Sequence, residues 1–194
     1  AIRAQRLKPR NVPHLAPGLD LAFAVEVKVS GRIGEQARPV VDRVAEQGVA
    51  RIARPGTDVT VVAISGSVPE ALLAAEDLAL EGVSVEVIDP RTLVPLDRDA
   101  IVRSVVKTGR LVVAEPAHRT CGAAAEISAY VVEEAFDSLK APIVRVTAPD
   151  MQIPFSPSLE KQMYPTRFTI AAAIRRVAGL APASEQTLLA ALHN

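Results

Sequence analysis

The sequence predicts an α/β fold in which a parallel sheet is covered by helices on both faces. Three features of the chain after residue 48 predict it. Short β-branched, apolar runs recur, and the run at 58–64 (DVTVVAI) is apolar in both phases of the strand alternation, as a strand buried on both sides must be. Longer segments of helical periodicity separate these runs, and strand–helix–strand order is the signature of parallel pairing. Glycine, proline and N-cap residues fall at the junctions.

The elements follow in order. Residues 50–53 form a short strand before the turn Arg54-Pro55-Gly56, and 58–64 form the next strand. Ser67-Val68-Pro69-Glu70 opens a helix, with Ser67 as N-cap, Glu70 completing a capping box and Pro69 in the first turn, where its missing N–H does no harm. That helix runs to Gly82, suited to a left-handed cap. Residues 83–88 form a strand, Asp97 or Asp99 opens a helix ending near Gly109, and 111–114 form another strand. A helix over 123–139 follows, then a strand over 143–147 entered through Pro142. Thr166 caps a last long helix that ends at Gly179, and 184–192 adds one more turn or two.

Residues 1–48 read differently. Pro9, Pro13, Pro17 and Gly18 break the first stretch into an extended arm or linker. Within it, 21–29 (LAFAVEVKV) alternates as a strand closed by Ser30-Gly31, and 39–47 reads as a short helix ended by Gly48. The expected organisation is an arm over 1–48, a domain over 49–180 and a tail, helical in part, over 181–194.

Composition narrows the function. Lysine plus arginine equals aspartate plus glutamate at 22 each, so the net charge is zero and no basic stripe offers the phosphate neutralisation that nucleic-acid binding needs. Aromatics are 3% with no tryptophan, which argues against base-stacking platforms. No apolar run approaches the roughly 20 residues that span a bilayer, and the N-terminal stretch has no apolar segment of the secretory kind. With one cysteine, Cys121, no internal disulfide forms, and a reducing cytoplasm is the expected compartment. Near-zero charge also eases self-association.

In such sheets, ligands and partners gather beyond the carboxyl ends of the strands. Four turns share that edge, at 65–67, 89–95, 115–122 and 148–154. They supply the candidate ligand or interface residues Ser65, Ser67, Asp89, Arg91, Glu115, His118, Arg119 and Asp150. Ser65-Gly66-Ser67 could present N–H groups to an anion at a helix N-terminus, although any strand-to-helix turn needs a glycine and a cap. Asp89, Arg91 and Asp97 could form an ion pair bracing the two-proline turn. Glu115 to Thr120 (EPAHRT) brings charge and an imidazole together, His118 being able to titrate near neutrality, with helix capping or an interface as the plainer role. Cys121 beside His118 could act as a nucleophile, but packing is the more ordinary use of a cysteine before a helix. Zinc needs more ligands than this pair supplies. There is no GxGxxG, no GxxxxGK[ST] and no GxSxG. No catalytic, cofactor-binding or metal residue is expected. The loop 151–158 (MQIPFSPS) is too apolar to be simply solvated and is expected to pack on a neighbour.

Three stretches in order carry a family resemblance: GTDVTVVAISGSVPEALLAAEDLALEGVSVEVIDPRTLVPLD (56–97), TGRLVVAEPAHRTCGAAAEI (108–127) and PIVRVTAPDMQIPFSPSLE (142–160). Together they resemble the C-terminal, transketolase-like domain of the beta subunit of thiamine diphosphate-dependent 2-oxoacid dehydrogenases, over about 49–180. The resemblance implies a three-layer α/β/α sandwich whose mostly parallel, five-stranded sheet has one antiparallel edge strand, here 50–53. It implies a parent enzyme of the pyruvate, branched-chain 2-oxoacid or acetoin type that decarboxylates its substrate and passes the acyl group to a lipoyl arm. There this domain mediates beta–beta dimerisation and docks the acyltransferase core, with an alpha subunit as further partner. Thiamine diphosphate and magnesium belong to the parent enzyme, through a GDG…N motif absent here, so the isolated chain is expected to bind neither and to be inactive. AEPAHRTCG places Ala114 where the commoner pattern has histidine, which is closer to the acetoin or branched-chain-like variants. Two alternatives stay open: an autonomous small-anion-binding or regulatory module, and the equivalent domain of a transketolase or deoxyxylulose phosphate synthase. Helix faces such as that of 123–139, with its small residues, are the expected dimer contacts.

Overall fold

The computed structural model of the chain describes residues 48–182, and the expectations for 1–47 and 183–194 lie outside the described residues. Five strands form one sheet: β1 (Arg51–Arg54), β2 (Val59–Ala63), β3 (Val85–Asp89), β4 (Leu111–His118) and β5 (Val144–Ala148). Between and after them run α1 (Ser67–Ala79), α2 (Arg98–Thr108), α3 (Ala123–Ala135), a 3-10 turn (Phe136–Ser138), the short α4 (Pro157–Glu160) and α5 (Arg167–Ala178). The spatial order is β1-β3-β2-β4-β5. β2 pairs in parallel with both β3 and β4, β4 in parallel with β5, and β1 runs antiparallel to β3 along one edge. The expected fold class is therefore the observed one.

Strand alternation divides the core in two. Val59, Val61 and Ala63 of β2, with Val85, Val87, Val112 and Ala114, pack under α1 and α5. Val62, Ile88, Leu111 and Val113 face α2 and α3 on the other side. All five residues of β2 are buried, so neither face of this central strand can carry a solvated side chain. In the α1–α5 layer, Ala71, Ala74 and Ala75 share one buried cluster with Ala171 and Ala173, small side chains that let two helices lie close over the sheet. Three polar ties then bind this pair. The Arg167 N–H donates to Glu70 Oε2 at 2.6 Å, Arg167 pairs with Asp77 at 3.2 Å, and the largely buried Arg175 pairs with Glu81.

Helix starts follow local chemistry, with one correction. Asp97 caps α2 by accepting the Ala100 N–H at 3.0 Å, and its other carboxylate oxygen accepts the Ala50 N–H at 2.9 Å, tying the entry of β1 to this helix. Gly109 ends α2 in the left-handed region at φ 75, which only a residue without Cβ adopts freely. Thr166 caps α5 reciprocally with Thr169, and Gly179 closes it. Ser67, however, is not the cap of α1. Gly66 already has helical φ and ψ, so Ser67 is the first helical residue, no side chain caps this end, and Glu70 serves α5 instead of a capping box. The helix expected over 123–139 gives way to the 3-10 turn at Phe136, and α4 lies within a stretch taken as loop.

Candidate functional site

The carboxyl rim of the sheet holds the candidate residues, and the turns after β4 and β5 bring most of them together. Glu115 sits at the end of the buried part of β4 and is 2% exposed. Its two carboxylate oxygens accept the Ala123 N–H at 3.1 Å and the Ala124 N–H at 2.8 Å, so a charge from the sheet caps the next helix from eight residues upstream. Gly122 makes this possible, because a Cβ there would stand 2.3 Å from Glu115 Oε1. Glu115 is thus a helix-capping residue, the plainer of its two expected roles.

Asp150 performs a similar task in the open. Its oxygens accept the Thr120 N–H at 2.9 Å and the Thr120 hydroxyl at 2.7 Å. These bonds hold its carboxyl below the usual aspartate range, with a smaller contribution from the nearby His118. The His118 ring contacts the Met151 carbonyl through Nε2 at 2.9 Å, and the Arg119 N–H donates to the Ala148 carbonyl at 3.1 Å. Cys121 is exposed, in the left-handed region at φ 59, immediately before the Gly122 N-cap. The hydrogen bonds of the cluster at 115–122 and 148–151 hold two turns to one another.

The other candidates divide along the rim. In the turn at Ser65-Gly66-Ser67, the Ser67 N–H donates to the Ile64 carbonyl and the Val68 N–H to the Ser65 carbonyl, each at 3.1 Å. The Ser67 hydroxyl is buried with no hydrogen-bond partner among the described residues. Two of the N–H groups that an anion would use are therefore already engaged within the turn. Asp89 accepts the Arg91 N–H at 2.9 Å, and the turn contains a cis Val94-Pro95 bond. Asp97, expected beside Asp89 and Arg91 as an ion-pairing group, has both oxygens on backbone N–H groups. The loop around 151–159 leaves Met151, Phe155 and Leu159 exposed, Phe155 completely.

Sequence reasoning missed the most buried polar network. Glu86 of β3 is 2% exposed and accepts the Ser104 hydroxyl and the Lys107 ammonium, each at 2.5 Å, with the Gly56 N–H at 3.4 Å. Thr60 extends the network to Ser104 at 2.6 Å and Thr108 at 2.8 Å. Burial raises the Glu86 carboxyl, but Lys107, Ser104 and Gly56 together bring it below its ordinary 4.5. A visible signal existed: an acid set between Val85 and Val87 inside a strand, with Ser104, Lys107 and Thr108 on one helical face.

Among the described residues, no three histidine, cysteine or acidic side chains converge as a metal site, and no helix is long and apolar enough to cross a membrane. The family model described as the transketolase C-terminal domain matches residues 48–170. The acetoin:2,6-dichlorophenolindophenol oxidoreductase subunit beta of Bacillus subtilis is 49% identical over 119 residues, covering 61% of this chain and 35% of that protein. The pyruvate dehydrogenase E1 component subunit beta of Leifsonia xyli is 50% identical over 115 residues, covering 59% and 34%. A solved split-gene transketolase, described as an inactive beta4 tetramer, superposes with a TM-score of 0.60 at 31% identity, covering 70% of this chain and 43% of that one. The chain thus spans about a third of the length of these curated relatives.

Proposed function

Because this chain belongs to the transketolase C-terminal domain family, we propose that it is the assembly domain of a 2-oxoacid dehydrogenase beta subunit, holding subunits together rather than performing chemistry. The observation that carries this reading is the state of the rim acids. Glu115 and Asp150 each have both oxygens committed to N–H or hydroxyl donors of their own turns. A diphosphate with its magnesium would need such oxygens as ligands, so this rim does not fit thiamine diphosphate. In the parent enzyme that cofactor is held elsewhere, and it supplies the decarboxylation chemistry there.

The apolar surface supports assembly. Phe155, Met151 and Leu159 are exposed beside the rim, and an exposed aromatic of this kind is a natural anchor in a partner's pocket. The face of α3 keeps part of its small-residue surface outward, with Ala129 exposed and Ala125 and Ser128 half-buried. Ala124 and Ala135 point into the core, and the outer surface carries Val132 and Phe136 beside Glu133 and Glu134. The proposed partners are a second copy, an alpha subunit and a lipoyl acyltransferase core, in the reducing compartment where that complex works.

Two measurements test the reading. Calorimetry with thiamine diphosphate and Mg²⁺ is expected to show no binding to the chain, and clear micromolar binding would refute the assignment. Sedimentation is expected to show self-association that Phe155→Ser weakens. A strict monomer at high concentration would remove the dimer contact from the proposal.

A further inference from the structure

The outer edge of β5 carries a groove that meets the rim only at Arg119, Ala148 and Pro149. β5 is the terminal strand of the sheet, so its far edge has no strand partner among the described residues. A groove of about 500 Å³ follows it, lined by every residue from Val144 to Ala148, by Thr169, Ala172 and Arg176 of α5, and by Arg119. Adjacent strand residues point to opposite faces, so a groove touching all five lies over the edge of the strand and not on one face. Val144 and Val146 give it an apolar wall toward the α5 side, where they pack against the core.

Charge is concentrated here in a chain whose formal net charge is zero. Arg119, Arg145 and Arg176 line the groove, and none lies within ion-pair distance of a carboxylate among the described residues. Elsewhere Arg98, Arg167 and Arg175 are each paired with a carboxylate. Arg119 and Arg145 hold each other, Arg119 Nη1 donating to the Arg145 carbonyl at 3.3 Å and Arg145 Nη1 to the Arg119 carbonyl at 3.1 Å. Most N–H donors of both guanidinium groups stay open. The side chain of the exposed Arg176 makes no hydrogen bond among the described residues. The nearest acid on the loop, Asp150, is committed to Thr120.

We propose that this edge binds an extended, acidic segment of a partner polypeptide, which adds to β5 as a sixth strand with its carboxylates on Arg119, Arg145 and Arg176. An edge strand offers backbone partners in a row, and side chains above and below it then select the sequence that lies alongside. Guanidinium groups on both flanks match an alternating acidic pattern, since carboxylates take arginine with directional, charge-assisted bonds. No aromatic side chain lines the groove for base stacking, which favours a peptide over a nucleic acid. The proposal stands apart from the assembly reading, because it uses neither Phe155 nor the rim acids Glu115 and Asp150.

Fluorescence anisotropy tests it, with a labelled hexapeptide of alternating glutamate and valine as the probe. Binding is expected to weaken with salt and to fall about three- to tenfold in Arg176→Gln, the decisive variant because that side chain holds nothing else in the fold. Arg119→Gln and Arg145→Gln should show similar losses, with thermal unfolding confirming that each variant folds. A peptide of the same sequence N-methylated along its backbone should bind at least about tenfold more weakly, since it cannot donate to the strand. Equal affinity for the N-methylated peptide, full competition by inorganic phosphate, tighter binding of a single-stranded oligonucleotide, indifference to Arg176→Gln, or no binding at millimolar peptide would each overturn the proposal.

Discussion

Gly122 leaves the space that the Glu115 carboxylate fills: a Cβ at 122 would lie 2.3 Å from Glu115 Oε1 and 2.6 Å from the His118 carbonyl oxygen. Both neighbours are fixed, one by its bonds to α3 and the other by the backbone. Gly122→Ala is therefore expected to cost about 1–3 kcal/mol through overpacking. Glu115→Ala should cost about 1–2 kcal/mol by leaving the Ala123 and Ala124 N–H groups uncapped. Urea denaturation measures both, and the double variant should lose less than the sum because the two residues share one contact.

Acid should act through Glu86. Its carboxyl is held below 4.5 in the folded chain, so its ionised form stabilises the fold above that pH, and the contribution is lost as pH falls through the lower folded value. Denaturation midpoints should decline below about pH 4.5, and Glu86→Gln should flatten that decline. Lys107→Ala is expected to cost about 1–2 kcal/mol at neutral pH, less than for a fully buried pair, because the lysine side chain is 45% exposed and water screens it. A pH profile unchanged by Glu86→Gln would show that other carboxylates govern acid unfolding.

Asp150→Asn should act on order rather than on stability. Losing the charged acceptor loosens the Thr120 turn, so hydrogen exchange at the Thr120 amide should quicken while the global unfolding midpoint stays close to that of the parent chain. Since the Asp150 carboxyl lies below the usual aspartate range, protection of that amide should persist to lower pH than an ordinary aspartate would allow.

The core of the α1–α5 layer offers a calibration. Leu78 is wholly buried among alanines and valines, so Leu78→Ala should cost about 2–5 kcal/mol, read from equilibrium unfolding.

Much of this was visible in the sequence, for identifiable reasons. The strand at 58–64 is β-branched or apolar in nearly every position of both phases, which leaves no solvated face and forces helices onto both sides. Asp97, Gly109, Thr166 and Gly179 mark helix ends through purely local chemistry, and each does so in the structure. Ser67 failed as a cap because backbone angles at Gly66, set by how the turn leaves β2, decide where the helix begins. Glu86 in VEVID was overlooked because its partners lie on α2, and only strand order brings Ser104 and Lys107 over it. Of the rim candidates, Glu115, His118, Arg119 and Asp150 share one pair of turns, whereas Ser65 and Ser67 belong to the β2–α1 turn, and Asp89 and Arg91 to the turn after β3. The groove over β5 had no local signature: its arginines stand on three different elements.

The ties between Glu70 and Arg167, and between Glu81 and Arg175, join segments 97 and 94 residues apart. A chain emerging from a ribosome therefore makes α1 long before its cover exists. Until α5 is released, Ala71, Ala74 and Leu78 have only the sheet on one side, and the carboxylates above them wait unpaired. Completion of this layer thus waits on α5, and a chain stopped short of α5 would show that greasy surface to whatever lay nearby.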